Sequence, residues 1–189
     1  MAIVDDPATH DVWDEYVVGM TNRRSVPVDI ESVVLIDPLG EKQVPGADPW
    51  KLEQLSEANW EKYARVGMYV LGAGAAGQTL GLGVYTYVFG GGAAAGLSIA
   101  VPVALIVNVS VVAVRNRRNK GKVGLEFDRR RLRQPLELAA GATVQGSLFF
   151  PVVPGPQQMI LHGKEGRVPF ELALDLKPLA GLHLKPVTQ

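Results

Sequence analysis

The sequence predicts a mainly β protein, an immunoglobulin-like antiparallel β-sandwich interrupted by a helical membrane hairpin of two glycine-rich transmembrane helices. Three observations predict it. Apolar residues alternate with polar ones in short stretches on both sides of a long insertion, Gly and Pro punctuate those stretches, and the insertion, residues 66–114, carries no charged side chain. The chain then divides into a first part of the sandwich (1–47), a linking helix (48–65), the hairpin (66–114) and a second part of the sandwich (115–189).

Ahead of the insertion, an apolar stretch through Tyr16, Val17, Val18 and Met20 runs into the polar residues Asn22, Arg23, Arg24 and Ser25. Val28, Ile30, Ser32, Val34 and Ile36 then alternate with Asp29, Glu31, Val33 and Leu35, a period of two with many β-branched residues, which predicts a strand. Asp37, Pro38, Leu39 and Gly40 supply a turn, because proline presets one backbone angle and glycine tolerates a positive one. Asp48 stands as the N-cap of a helix with Pro49 at its first position. That helix carries Trp60 and Tyr63 to the start of the uncharged run, where aromatic rings favour a membrane interface.

A bilayer core takes roughly 20 apolar residues in helical form, so the uncharged run is long enough for two passes joined at Gly90, Gly91 and Gly92. In its first half Ala73, Gly77 and Gly81 recur every four residues; in its second, Gly92, Gly96, Ala100, Ala104 and Asn108 do the same. Such small-residue stripes let helices pack closely in lipid, where the hydrophobic effect cannot join them. Gln78 and Asn108, with Ser98 and Ser110, are expected to turn away from lipid, Asn108 to hydrogen-bond across a helix interface, and Pro102 to bend the second helix. Arg115, Arg117, Arg118, Lys120 and Lys122 follow as a stop-transfer cluster at the second interface, with anionic headgroups as the expected partner. In an inner bacterial membrane or a comparable one, the positive-inside rule places the folded domain in the cytoplasm.

Beyond the insertion, Val123, Leu125 and Phe127 alternate with Glu126 and Asp128 and predict a strand. Residues 144–152 predict a second and residues 159–162 a third. The clearest places Phe170, Leu172, Leu174 and Leu176 on one face against Glu171, Ala173 and Asp175, entered from a turn at residues 163–166. Short strands punctuated by Gly and Pro favour an antiparallel sandwich.

Composition excludes more chemistry than it suggests. Lys+Arg 19 balances Asp+Glu 19, so there is no net pull towards nucleic acid, and the cluster of Arg129, Arg130, Arg131 and Arg133 has no interleaved aromatics. With Cys 0, disulfides, thiolate catalysis and a lipidated cysteine are absent from the sequence. The first residues lack the basic and apolar segments of a signal peptide, so either the hairpin directs insertion or a leader was removed. Residues 72–77 match GxGxxG, yet no Asp or Glu lies between Glu61 and Glu126 to hold a ribose, and the glycines are assigned to packing rather than to a nucleotide. His10, His162 and His183 have no metal-ligand spacing, and Asp5, Asp6 and Asp128 are not paired in sequence with a base or nucleophile. No catalytic residue, metal ligand or cofactor site is therefore assigned.

The order of strands, a hairpin with small-residue stripes between Gly72 and Gly96, and further strands resembles that of glycine-zipper proteins of the bacterial cell envelope, some of which are lipoproteins that assemble into membrane rings. The resemblance covers architecture and stripes only, and this chain lacks the leader and lipidated cysteine typical of that family. It implies a non-enzymatic, membrane-anchored, oligomeric structural or assembly protein of the envelope, in the inner or the outer membrane. The partners would be the lipid bilayer, further copies of the chain and other envelope proteins, without nucleic acid. The alternative is an oligomeric pore lined by Gln78, Thr79, Thr86 and Asn108. A third expectation makes the run a buried helical pair within a large soluble assembly.

Overall fold

The structure is a computed structural model that describes residues 13–68, 85–89, 103–112 and 120–181. In chain order it contains β1 (Trp13–Asn22), β2 (Val28–Ile36), β3 (Lys42–Gln43), α1 (Pro49–Arg65), β4 (Tyr85–Phe89), β5 (Val103–Val112), α2 (Lys120–Arg130), β6 (Leu136–Leu138), β7 (Thr143–Phe150), β8 (Gln158–Glu165) and β9 (Val168–Asp175). A 4-stranded sheet runs β4-β5-β1-β7, and a 5-stranded sheet runs β3-β2-β8-β9 with β6 also on β2. The pairings between these strands are antiparallel.

The two sheets close on one core because apolar side chains alternate along the central strands, with the irregularity in β2 between Ile30 and Ser32 moving the core-facing set from Val28 and Ile30 to Val33 and Leu35. Tyr16, Val18 and Met20 of β1 and Leu148 and Phe150 of β7 meet Ile30 and Leu35 of β2, Met159 and Leu161 of β8 and Leu174 of β9. Each large side chain taken out of water in this way contributes about 1.5–3 kcal/mol. The opposite face of β1 and β7 is covered too. There Trp13, Phe149, Leu52 of α1 and Phe127 of α2 form a second cluster, with Phe127 stacked on Phe149 at 4.2 Å between ring centroids. Where β8 crosses the irregularity in β2 between Ile30 and Ser32, Gly163 lies so close to the neighbouring backbone that an added Cβ would sit 2.6 Å from the carbonyl oxygen of Asp29. No side chain fits there.

Among the described residues the sandwich is present and no membrane-spanning helical hairpin is, and the expected fold class is corrected on that point. Among the described residues no helix is long and apolar enough to cross a membrane. The parts of the uncharged run that are described are strands: β4 and β5 lie within residues 66–114, and β5 pairs with β1 from Trp13 opposite Val112 to Asn22 opposite Val103. A transmembrane helix, and a glycine-zipper stripe continued through Ala104 and Asn108, are therefore excluded for this portion. Asn108 stands in register between Val17 of β1 and Thr86 of β4, in a strand ladder rather than at a helix interface. The physical reason is visible in β5 itself, where Val103, Ile106, Val107, Val109, Val111 and Val112 are β-branched and prefer extended backbone. Apolar length alone does not distinguish such a run from a helix.

Two further expectations change. The segment expected to be a strand around Val123, Leu125 and Phe127 is helix α2, in which Val123 and Phe127 share the face that packs on Trp13 and Phe149, while Leu125 is exposed. The strand order also departs from the immunoglobulin arrangement, which keeps its first two strands in one sheet, whereas β1 and β2 lie in different sheets here.

Candidate functional site

Of the three buried carboxylates among the described residues, Asp14, Glu15 and Asp37, the last two each hold a helix, and one cleft lies between the sheets. Asp37 directly follows β2 and has no solvent exposure. Its Oδ1 accepts the backbone N–H groups of Leu39 and Glu41 at 2.9 and 2.8 Å, which is the local turn chemistry of an aspartate. Its Oδ2 accepts from Lys62 Nζ at 2.8 Å and from Tyr63 Oη at 2.7 Å, both on α1. Burial alone would raise the carboxyl, but hydrogen bonds from Lys62, Tyr63 and the Glu41 backbone outweigh it and hold Asp37 below the usual carboxylate range. The same contacts act in the opposite sense on the partners. Burial and the Asp37 charge push the Tyr63 hydroxyl well above its ordinary value, while Lys62, opposed by burial, is raised by its bonds to Asp37 and Glu41.

α1 is thereby fixed at its C-terminal end, and Asp48 fixes its start by accepting from Trp50 N at 2.9 Å. A cap of this kind contributes about 1 kcal/mol. In between, Asn59 Nδ2 donates to the carbonyl of Val152 at 3.0 Å, and Ser56 Oγ accepts from Val152 N at 2.9 Å. Tyr63, assigned from sequence to a membrane interface, is fully buried, and Trp60 is partly buried on the same helix.

The second carboxylate, Glu15 in β1, is 2% exposed and lies on the face of the sheet covered by α2. Arg130 Nη1 donates to both its oxygens, at 2.7 and 2.8 Å, and Ser147 Oγ of β7 donates to Oε1 at 2.6 Å. The arginine cluster that follows the insertion is largely consumed in this way. Arg129 pairs with Glu126 and Arg131 with Asp128 along α2, and Arg130 reaches into the sheet. These charges fasten a helix instead of presenting a basic face.

The cleft lies on the seam where the two sheets meet. On one side of β2, β6 pairs with Val28 and Ile30 and β3 pairs with Leu35 and Ile36, which leaves residues 31–34 without a strand on that side. Gln134 partly fills the gap, its Oε1 accepting the Val33 N–H at 3.1 Å. The edge of β7 closes the other wall: Gly46 N bonds the Phe149 carbonyl at 2.7 Å, and Leu132 N bonds that of Ser147 at 2.8 Å. Between these walls is a cleft of about 320 Å³ whose lining includes Val33, Gly46, Arg131, Gln134 and Ser147. Arg131 Nε and Gln134 Nε2 are shielded from solvent and have no hydrogen-bond partner.

Of the residues singled out by the sequence, Ala104 and Asn108 fall on β5, and Lys120 is the first residue of α2. Ala73, Gly77, Gly81, Gly92, Gly96, Ala100, Arg115, Arg117 and Arg118 lie outside the described residues, as does the GxGxxG string. His162 sits on β8 with Nδ1 3.4 Å from Glu171 Oε2 across the β8–β9 pair, while His10 and His183 lie outside the described residues. Among the described residues no group of three or more His, Cys, Asp or Glu side chains could hold a metal ion. Glu15, Asp37 and Gln134 were not singled out as site residues. Only Asp37 carried a local signal, the turn sequence that follows it. A scan of protein-family models and searches of curated proteins and of solved structures found no match to this chain.

Proposed function

We propose that the protein is a non-enzymatic assembly module, in which the β-sandwich presents strands of its uncharged segment for pairing with a second copy of the chain. The observation that carries this is the contrast between sheet edges. The outer side of β7 is covered by Gly46 and Leu132, β3 has two residues, one of them Lys42, and β9 carries Pro169, Glu171 and Asp175. Short length, charge, proline and covering loops are the devices that keep an edge from pairing. β4 has none of these among the described residues: it pairs with β5 on one side, and its sequence Tyr-Thr-Tyr-Val-Phe contains neither charge nor proline.

A second copy suits this edge because the strand reads alike in both directions. Antiparallel pairing about Tyr87 sets residue 85 against residue 89 and residue 86 against residue 88, aromatic opposite aromatic and Thr opposite Val. Such cross-strand pairs contribute about 0.2–1 kcal/mol each. The buried carboxylates favour a structural role as well, since Glu15 and Asp37 are already saturated by donors.

Sedimentation velocity tests the proposal. The full chain should sediment as a dimer or larger species at micromolar concentration, and Thr86→Lys with Val88→Lys should return it to monomer with an unchanged thermal midpoint. A monomeric wild type, or a doubly substituted chain that still self-associates, would overturn it. So would recruitment of monomers to lipid vesicles in place of self-association.

A further inference from the structure

We infer that the assembly is a closed dimer about a two-fold axis at Tyr87, in which the backbone groups of Thr86 and Val88 join the 4-stranded sheets of two copies into one continuous sheet. The inference rests on β4 being the edge that pairs with a second copy, and it adds which groups pair, in which register and with what symmetry. Along a strand, the N–H and C=O of one residue point to one neighbour and those of the next residue to the other. Three bonds set this phase for the whole sheet. Asn22 N donates to the carbonyl of Ala142, and on the far side of β7 the carbonyls of Ser147 and Phe149 accept from Leu132 and Gly46. The even-numbered residues of β1 therefore bond to β7 and the odd-numbered ones to β5. Carried across registers that have no shift, the same alternation turns the odd-numbered residues of β5 towards β4, and Tyr85, Tyr87 and Phe89 of β4 towards β5. Thr86 and Val88 are left with their N–H and C=O groups directed outward.

A second copy offers the same two residues. Antiparallel pairing about Tyr87 sets Thr86 of each copy opposite Val88 of the other, so every outward group of the strand meets a partner, and each such pair exchanges both of its N–H···O bonds. A slip of one residue sets Thr86 against residues whose groups are already bonded to β5. A slip of two leaves one outward residue of each copy facing beyond the strand. Position 87 then faces itself in a pair without mutual hydrogen bonds, the closer kind, with Cα atoms about 4.5 Å apart. The two-fold axis stands normal to the sheet and uses the same edge of both copies, which leaves none of β4 for a third chain. Thr86 lies in one row with Asn108, Val17 and Ser147, on the face that carries Trp13, Phe149 and both helices. The dimer thus holds the helices of both copies on one side of the joined sheet.

With Cys 0 in the native chain, single cysteines report the register directly. Full-length variants oxidised with glutathione disulfide and run on non-reducing gels should give a cross-linked dimer for Tyr87→Cys and none for Thr86→Cys or Val88→Cys. Cα atoms at position 87 stand within the reach of a disulfide, about 4.4–6.8 Å, whereas the two copies of residue 86, or of residue 88, are offset by a further two positions, about 7 Å along the strand. Cross-linking at 86 or 88 in place of 87, or equally at all three, would overturn the register. Hydrogen exchange tests it in the unaltered chain. From dilute to concentrated solution the amides of Thr86 and Val88 should slow by about tenfold or more, and by more than that of Tyr87, which β5 already holds. A greater slowing at Tyr87 would overturn the inference, and so would species larger than a dimer in sedimentation. A wild type that dimerises without cross-linking at 87 and without slowing at 86 and 88 sinks this geometry alone, whereas a monomeric wild type sinks the assembly edge with it.

Discussion

The helices α1 and α2 flank the uncharged segment, and each is held to the sandwich by a buried carboxylate, yet the two attachments are built differently. Asp37 combines local and distant donors: the N–H groups of Leu39 and Glu41 organise the turn, and Lys62 and Tyr63 bring in the helix. Glu15 has only side-chain donors among its hydrogen bonds, Arg130 and Ser147, both more than a hundred positions away. The first attachment ties a helix to a turn held by hydrogen bonds between near neighbours in sequence, whereas the second exists only once β1, β7 and α2 have assembled. Loss of the first therefore disrupts local and long-range structure together, and loss of the second undocks a helix.

The largest effect is expected at Asp37. Asp37→Ala leaves two backbone donors and the Tyr63 hydroxyl without their acceptor and Lys62 with Glu41 alone, and should destabilise the chain by about 3 kcal/mol in urea unfolding. Glu15→Ala should cost less, about 2 kcal/mol, because Arg130 is 38% exposed and can rehydrate while Ser147 Oγ stays buried. If Glu15→Ala proves the more damaging, the contrast between the two attachments is wrong.

Acid probes the Asp37 attachment. The folded Asp37 carboxyl titrates below its unfolded value, so its stabilisation is present above pH ~4 and is lost as pH falls through the folded value. Urea midpoints should therefore drop between pH 5 and pH 2, with a smaller drop in Asp37→Asn. An equal drop in both proteins would assign the acid sensitivity to other groups. The smallest effect belongs to Tyr63→Phe, which removes one donor while Lys62, Leu39 and Glu41 remain, and should cost about 1 kcal/mol by the same measurement.

Legibility in the sequence followed the range of the forces involved. The Asp37 turn and the Asp48 cap are set by residues adjacent in sequence and are found where turn chemistry and capping place them; β2 is a strand where alternation places one, but beyond its irregularity Val33 and Leu35 face the core in place of Val34 and Ile36. α2 runs against the sequence pattern because Val123, Leu125 and Phe127 satisfy a period of two, whereas the helix is supported by Glu126 with Arg129 and Arg130, spacings of three and four. β4 and β5 escape a sequence reading because the uncharged run lacks the apolar–polar alternation of a half-buried strand, while its small residues happen to recur at helical spacing. Of the candidate sites, the small-residue stripe was visible as a pattern, but Ala104 and Asn108 take their places from the β1 ladder. The seam cleft left no pattern at all, since its walls come from β2, the segment after β3, the segment before β6, and β7.

By itself, then, the sequence determined the strands whose alternation is clean, the helix that begins at Asp48, and the absence of charge from residues 66–114. These depend on backbone preference and on side chains within a few positions of one another. Only the tertiary structure decided that β5 pairs with β1, that Glu15 and Asp37 hold the two helices, and that Arg131 and Gln134 share a cleft. Strand partners and buried charges are chosen by contacts between distant segments, where the cost of leaving a donor or an apolar face uncovered is met only in the assembled fold.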